Sequence, residues 1–203
     1  MNSIKKNIFF LSPSLWPIFE LEVSYIKEYN KKNEKIYLIN CEKTQNYCPA
    51  NNLRIRNFGK TNSVCNWCQS RYNSGLNFLK LKNLNFEKKS FDNLNDRQSN
   101  EIKKLENYLN KRKKFDISVS KFFKPYGINY KQLLQSSIDC EERTDTTKLD
   151  QYYYSKIKKI TINILRSYYS ALNHIQQIKP DKVFIFNGRD NTYRPIYLAA
   201  KKL

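Results

Sequence analysis

The sequence has little of the small and reactive residues on which many active sites are built. Its four glycines in 203 residues leave no P-loop, no GxGxxG and no other glycine-rich cradle for a phosphate. Its single histidine is His174, so Ser-His or Cys-His catalysis would have to run through that residue, and HExxH is excluded. His174 falls inside a helical pattern beside an apolar stripe, which is the position of a packed or surface imidazole. No apolar run approaches the roughly 18 residues of a membrane helix. The first apolar run follows Lys5 and Lys6 but meets Pro13, Pro17, Glu20 and Glu22 too soon for a signal-peptide core, with no small-residue cleavage site after it. These absences point to a cytosolic protein, where cysteines are thiols or metal ligands rather than disulfides.

Positive charge and aromatic rings are plentiful. Thirty-seven Lys and Arg against eighteen Asp and Glu give a net charge of +19. One explanation is a polyanionic partner: nucleic acid, a phosphorylated ligand, or the anionic inner face of a membrane, to which the basic surface could hold the protein peripherally. The other is compositional: Lys far outnumbers Arg, Asn is abundant, and the Lys residues are scattered along the chain, as on a solvated surface. The many Tyr and Phe residues argue against disorder.

Periodicity predicts an α/β chain. Asn7 to Leu11 reads as a buried strand and Leu15 to Tyr29 as a helix with Phe19, Val23 and Ile26 on one face. Lys35 to Cys41 reads as a second strand. Strand, helix, strand at this spacing is a βαβ opening and implies parallel strands. The stretch from Cys41 to Cys68 breaks the pattern. It is Asn-rich, holds four of the five cysteines, and reads as a Cys-rich insertion. A helix is expected over Asn66 to Leu81 and another over Asp96 to Lys111, joined by a Lys- and Asn-rich connection, Asn83 to Asn95. Phe115 to Phe123 is ambiguous. Thr146, Thr147 and Asp150 resemble a capping box opening a long helix whose apolar residues run from Leu149 and Tyr153 through Ile157, Ile160, Ile164, Tyr168, Ala171, Ile175 and Ile178. Pro180-Asp181 ends it. The strand Lys182 to Phe186 follows, then Asn187-Gly188-Arg189-Asp190, then a helix from Arg194 that runs to Leu203. We expect one Rossmann-like domain over the whole chain, incomplete at its C-terminal end.

Three constellations could carry chemistry. Cys41, Cys48, Cys65 and Cys68 form two local pairs, the second a CxxC, which suit a structural zinc held by four thiolates. An iron–sulfur cluster and free thiols are the alternatives; Cys140 stands apart as a small buried residue. In the second constellation, Gly188 lets the backbone turn sharply, while Arg189 and Arg194 flank the start of the last helix, where free N–H groups favour an anion. Asn187, Gly188, Arg189 and Arg194 are therefore candidate substrate-binding residues at a strand's carboxyl end. The third is Glu20 and Glu22 in the first helix, whose preceding loop, Ser12 to Pro17, would face the same crevice; a carboxylate here could act as base on an acceptor hydroxyl. The plainer reading is an acidic first turn matched to the helix dipole.

Taken together, the βαβ opening, the cysteine pattern, the long Tyr-rich helix and the segment Lys-Pro-Asp-Lys-Val-Phe-Ile-Phe-Asn-Gly-Arg before a helix ending Ala-Ala-Lys-Lys-Leu resemble the N-terminal domain of bacterial GT-B glycosyltransferases of capsule and surface-polysaccharide synthesis. The resemblance spans Ile8 to Leu203, with Asn83 to Phe123 unmatched. It implies an acceptor-side domain for a sugar or lipid-linked acceptor, facing a C-terminal domain that holds the nucleotide-sugar. This domain alone would bind no nucleotide cofactor and transfer no sugar. Many relatives carry a His near the first strand–helix loop and this chain does not, which leaves Glu20 or Glu22 as base. Two other classes are a zinc-containing basic nucleic-acid-binding protein and an oligomerising scaffold built on the long helix. The scattered charge and the lack of any recognised motif argue against nucleic acid as partner.

Overall fold

The computed structural model describes residues 4–13, 17–30, 34–43, 48, 61–81, 83–114, 116–142, 154–186 and 190–202. The sequence reads as one domain; the structure divides it into two compact units, Met1–Phe91 with His174–Phe186, and Asp92–Asn173 with Asn187–Leu203.

The first unit is an α/β arrangement of the Rossmann-like kind: a parallel sheet flanked by helices. Among the described residues it has four strands, β1 (Lys6–Phe10), β2 (Lys35–Asn40), β3 (Phe86–Ser90) and β4 (Lys182–Ile185), in the order β3-β2-β1-β4. All neighbours pair in parallel, with Phe10 opposite Ile39 on one side and Ile185 on the other. Strands β1 and β2 are apolar runs buried on both faces, as a covered parallel sheet requires. Helix α1 (Ile18–Asn30) begins just past Pro17, and α2 (Thr61–Leu81) lies beside it. Phe19, Val23 and Ile26 of α1 and Tyr72, Leu76 and Leu79 of α2 close over Phe9, Leu11, Ile36 and Leu38. Gly75 leaves room for a close approach of the two helices: a methyl group on its Cα would lie 2.6 Å from the Phe19 ring. On the opposite face Phe10 meets Phe91 and His174 edge-on. The N-termini of β1 and β4 are tied by a reciprocal pair, Lys6 N–H to the Asp181 carboxylate and Asp181 N–H to the Lys6 carbonyl, each 2.8 Å.

The second unit holds α3 (Asp96–Asn110), two 3-10 turns (Ile117–Phe122 and Lys124–Tyr126), α4 (Tyr130–Glu142), most of α5 (Tyr154–Ile178) and α6 (Tyr193–Ala200). Helix α3 starts with a full capping box between Asn95 and Gln98. Its buried stripe is Ile102, Leu105 and Leu109. Tyr130 stacks on Phe123 and bonds the Thr161 hydroxyl of α5 at 2.8 Å. Glu101 accepts hydrogen bonds from Tyr126 and Tyr169. Arg166 of α5 makes a two-armed ion pair with Asp92.

Several expectations change. Strand β3 occupies the stretch read as a connection. Its sequence, Phe-Glu-Lys-Lys-Ser, is polar because it is an edge strand, and Glu87 bridges Lys35 and Lys89 at 3.3 and 2.6 Å. Helix α2 begins earlier than expected and carries Cys65 and Cys68 within it. Helix α4 has no counterpart in the sequence reading. The last helix stops at Ala200 with Lys201 as its cap, rather than running to Leu203. Cys140 is exposed, not buried. The proposed cap at Thr146, Thr147 and Asp150, and the stripe positions Leu149 and Tyr153, lie outside the described residues.

Candidate active site at the strand ends

The chain steps from β1 to β2 to β3 in one direction, then returns to the other side of β1 for β4. That reversal opens a crevice at the carboxyl ends of β1 and β4, where open α/β sheets bind ligands. The residues that reach this edge within the first unit are Ser12 and Pro13 after β1, Glu22 on α1, Asn40 at the end of β2 and Phe186 after β4.

Glu22 is the most perturbed acid in this region. Its Oε2 accepts the Ser12 backbone N–H at 2.8 Å. Its Oε1 is buried and has no hydrogen-bond partner among the described residues. Burial pushes the carboxyl from 4.5 to about 7; the Ser12 backbone N–H and hydroxyl and the Arg71 charge oppose that rise, and Glu20 adds to it. Near neutral pH the group therefore exists in both protonation states, as a general acid or base requires. The Ser12 hydroxyl influences the carboxyl but forms no hydrogen bond, and both amide atoms of Asn40 are likewise unpaired among the described residues. Ser12 and Asn40 are essentially inaccessible. Buried polar groups without partners are uncommon and mark places where a ligand or water completes the set.

Glu20 behaves differently. It is exposed and ion-paired with Arg71. The same guanidinium donates to the Pro13 carbonyl at 2.6 Å and lies over the Trp67 and Phe19 rings at 4.9 and 5.6 Å. Arg71 thus pins the segment after β1 to both helices. Nothing in the sequence singles it out, since it sits in a polar stretch with no motif around it.

An apolar cavity of about 190 Å³ adjoins Glu22, lined among others by Phe10, Ile18, Tyr25, Ile185 and Phe186. Its walls come from three separate elements, so no local pattern in the sequence reveals it.

Of the other candidates, Asn187, Gly188 and Arg189 lie outside the described residues. Arg194 is on α6, its guanidinium over the Tyr197 ring at 5.2 Å. The start of α6 is occupied by the chain itself: Asp190 Oδ1 accepts the N–H groups of Thr192 and Tyr193, each at 2.8 Å. The helix end read as an anion site is thus capped by an internal carboxylate, whose pKa burial raises against those two bonds.

Cys65 and Cys68 lie one turn apart on α2. Gln69 donates to the Cys41 carbonyl at 2.7 Å, and Lys43 to Asn66 at 2.9 Å, which brings the segment after β2 against that turn. Burial raises the Cys65 thiol, as does Cys41 nearby, while Lys43 lowers it. Among the described residues no three Cys, His, Asp or Glu side chains converge as a metal site; Cys48 is the one described residue between Lys43 and Thr61. His174 is buried, its Nε2 2.8 Å from the Ser90 carbonyl. Burial lowers its pKa, with the Ser90 and Phe91 backbone opposing, so it is a neutral core imidazole and not a base in the crevice. No described helix is long and apolar enough to cross a membrane.

No family model matches the sequence, and no curated protein matches it. Among solved structures, the chain is similar to a CDPS from Fluoribacter dumoffii, with a TM-score of 0.56 and 12% identity over 95% of this chain and 82% of that one. At that identity the likeness is one of fold.

Proposed function

We propose that the chain is the acceptor-side, Rossmann-like domain of a GT-B glycosyltransferase of surface-polysaccharide synthesis. The observation that carries this reading is Glu22: a buried carboxyl at the carboxyl end of β1, held near neutrality, with one oxygen unpaired. Glu22 takes the proton of an acceptor hydroxyl as that oxygen attacks the anomeric carbon and the nucleotide leaves with the bonding pair. The backbone N–H of Ser12 orients the carboxylate through Oε2, which leaves Oε1 for the acceptor. Arg71 and Glu20 hold the loop that carries Ser12 and Pro13. The nucleotide-sugar belongs to a second domain, and Asn187, Gly188, Arg189 and Arg194 are assigned to the acceptor side of the cleft.

The test is transfer by the enzyme together with its donor domain. Glu22→Gln lowers kcat by about 100-fold or more, the usual contribution of a general base, while Glu20→Gln changes it less than about threefold, as expected for an exposed ion pair. Equal rates for wild type and Glu22→Gln remove the assignment.

A further inference from the structure

The cavity beside Glu22 is not needed to explain a base. A base needs apolar neighbours to raise its pKa, but not an open space beside them. Here it borders walls made of Phe9, Phe10, Ile18, Tyr25, Ile185 and Phe186. An enclosed apolar cavity of about 150 Å³ takes a benzene ring; the cavity here is open on one side, where Leu21 and Tyr25 are more than half exposed. The volume here, about 190 Å³, has room for a ring with a small substituent. Glu22 is the one lining side chain that carries a charge. Its unpaired buried oxygen calls for a donor, because a buried acceptor without one is costly. A second carboxylate or phosphate would be repelled there.

We infer that this cavity receives the apolar, hydroxyl-bearing end of the acceptor, a neutral aromatic or cyclic aliphatic alcohol whose O–H donates to Glu22 Oε1. The inference rests on the acceptor-side reading and narrows it: the acceptor is an alcohol on an apolar body rather than a bare sugar. Specificity comes from shape at the rings of Phe10, Tyr25 and Phe186 and from a single hydrogen bond, the usual division of labour in a small-molecule site.

The experiment is titration of the full chain with p-cresol, toluene and p-toluate, followed by calorimetry at pH 8, where Glu22 is mainly ionised. We expect p-cresol to bind, toluene to bind about tenfold more weakly for want of the hydrogen bond to a charged acceptor, and p-toluate not to bind. Ile18→Trp, which fills the cavity and leaves the Glu22 carboxyl in place, abolishes p-cresol binding. Glu22→Leu erases the preference for p-cresol over toluene and serves as an independent check should Ile18→Trp fail to fold. The inference is overturned if p-cresol does not bind the wild type, if it binds no better than toluene, or if p-toluate binds as well. No sugar donor is present, so the outcome is separate from the transferase test. Loss of p-cresol binding with Glu22-dependent transfer intact removes only the apolar acceptor. Binding without Glu22-dependent transfer removes the transferase and leaves the pocket.

Discussion

Glu22 imposes a cost on the folded state as well as offering a proton acceptor. Its folded value, about 7, lies above the 4.5 of an ordinary carboxyl, so folding takes up a proton between those two pH values. The penalty is absent below pH 4.5, grows through that window and is fully present above 7. Glu22→Gln keeps an oxygen for the Ser12 N–H and removes the charge. It should therefore stabilise the protein at pH 8 by roughly 2–3 kcal/mol and leave it unchanged at pH 4. Denaturant unfolding at the two pH values measures this; equal stabilisation at both would place the effect elsewhere than in the ionisation. As a residue type Glu22 was legible in the sequence, and it was named there beside Glu20. What separates the two is burial, and that depends on α1 turning one glutamate toward the sheet and the other toward Arg71 and solvent. Asp190 shows the same limit from the other side. Read in sequence it is one letter of an anion-binding turn; folded, its carboxyl oxygen takes the N–H groups of Thr192 and Tyr193 that an anion would have used.

At the scale of elements, periodicity identified α1, α5, β1, β2 and β4, because each shows one unbroken apolar pattern. It missed β3, where the edge position favours charge over apolar content, and α4, where Tyr130, Leu133, Leu134 and Ile138 are buried but sit among polar residues, although Asn129 marks the start by accepting the Gln132 N–H at 3.1 Å. Two connections carry predictions. Gly75 on α2 faces Phe19 and Val23 of α1. Alanine there would gain helix propensity, worth about 1 kcal/mol, but its methyl would push the buried Phe19 ring out of place, at a cost of about 1–3 kcal/mol. Gly75→Ala should lower the Tm on balance, and Phe19→Leu in the same chain should recover part of the loss; a Tm that rises on Gly75→Ala alone would contradict the packing. Lys179 ends α5 with φ of 50°, a left-handed conformation that costs a residue with a Cβ roughly 1–2 kcal/mol. Its N–H still bonds the Ile175 carbonyl at 2.8 Å. Lys179→Gly should raise stability by about 1 kcal/mol, read as a higher denaturant midpoint with an unchanged slope.

At the scale of the whole molecule, the fold class was readable early, since strand–helix–strand spacing implies a parallel sheet before any contact is known. The division into two units was not, because the boundary falls inside α5, between Asn173 and His174, in an unbroken helical pattern. Net charge is a property of this scale too. The +19 will draw the protein to nucleic acid at low salt through counterion release. If the charge is a solvated surface, that affinity should fall steeply and be gone by about 200 mM salt, with no preference among sequences. Fluorescence anisotropy with a labelled RNA and a labelled DNA duplex at two salt concentrations decides it: retention of tight, sequence-selective binding would favour a nucleic-acid partner over a sugar acceptor.

The pairing of β1 with β4 joins residues near position 8 to residues near position 184. On a ribosome this means that β1 waits for a partner made about 175 residues later (Ile8 pairs with Val183). Both units draw on the stretch His174–Leu203, so neither can close while that stretch is still untranslated. At about 5–20 residues per second, the edge of β1 that β4 will cover stays unpaired for on the order of ten seconds or more. The nascent chain is thus a client for whatever in the cell shields exposed apolar strands, and its yield should depend more on the pace of translation and on chaperone supply than on the stability of the finished fold.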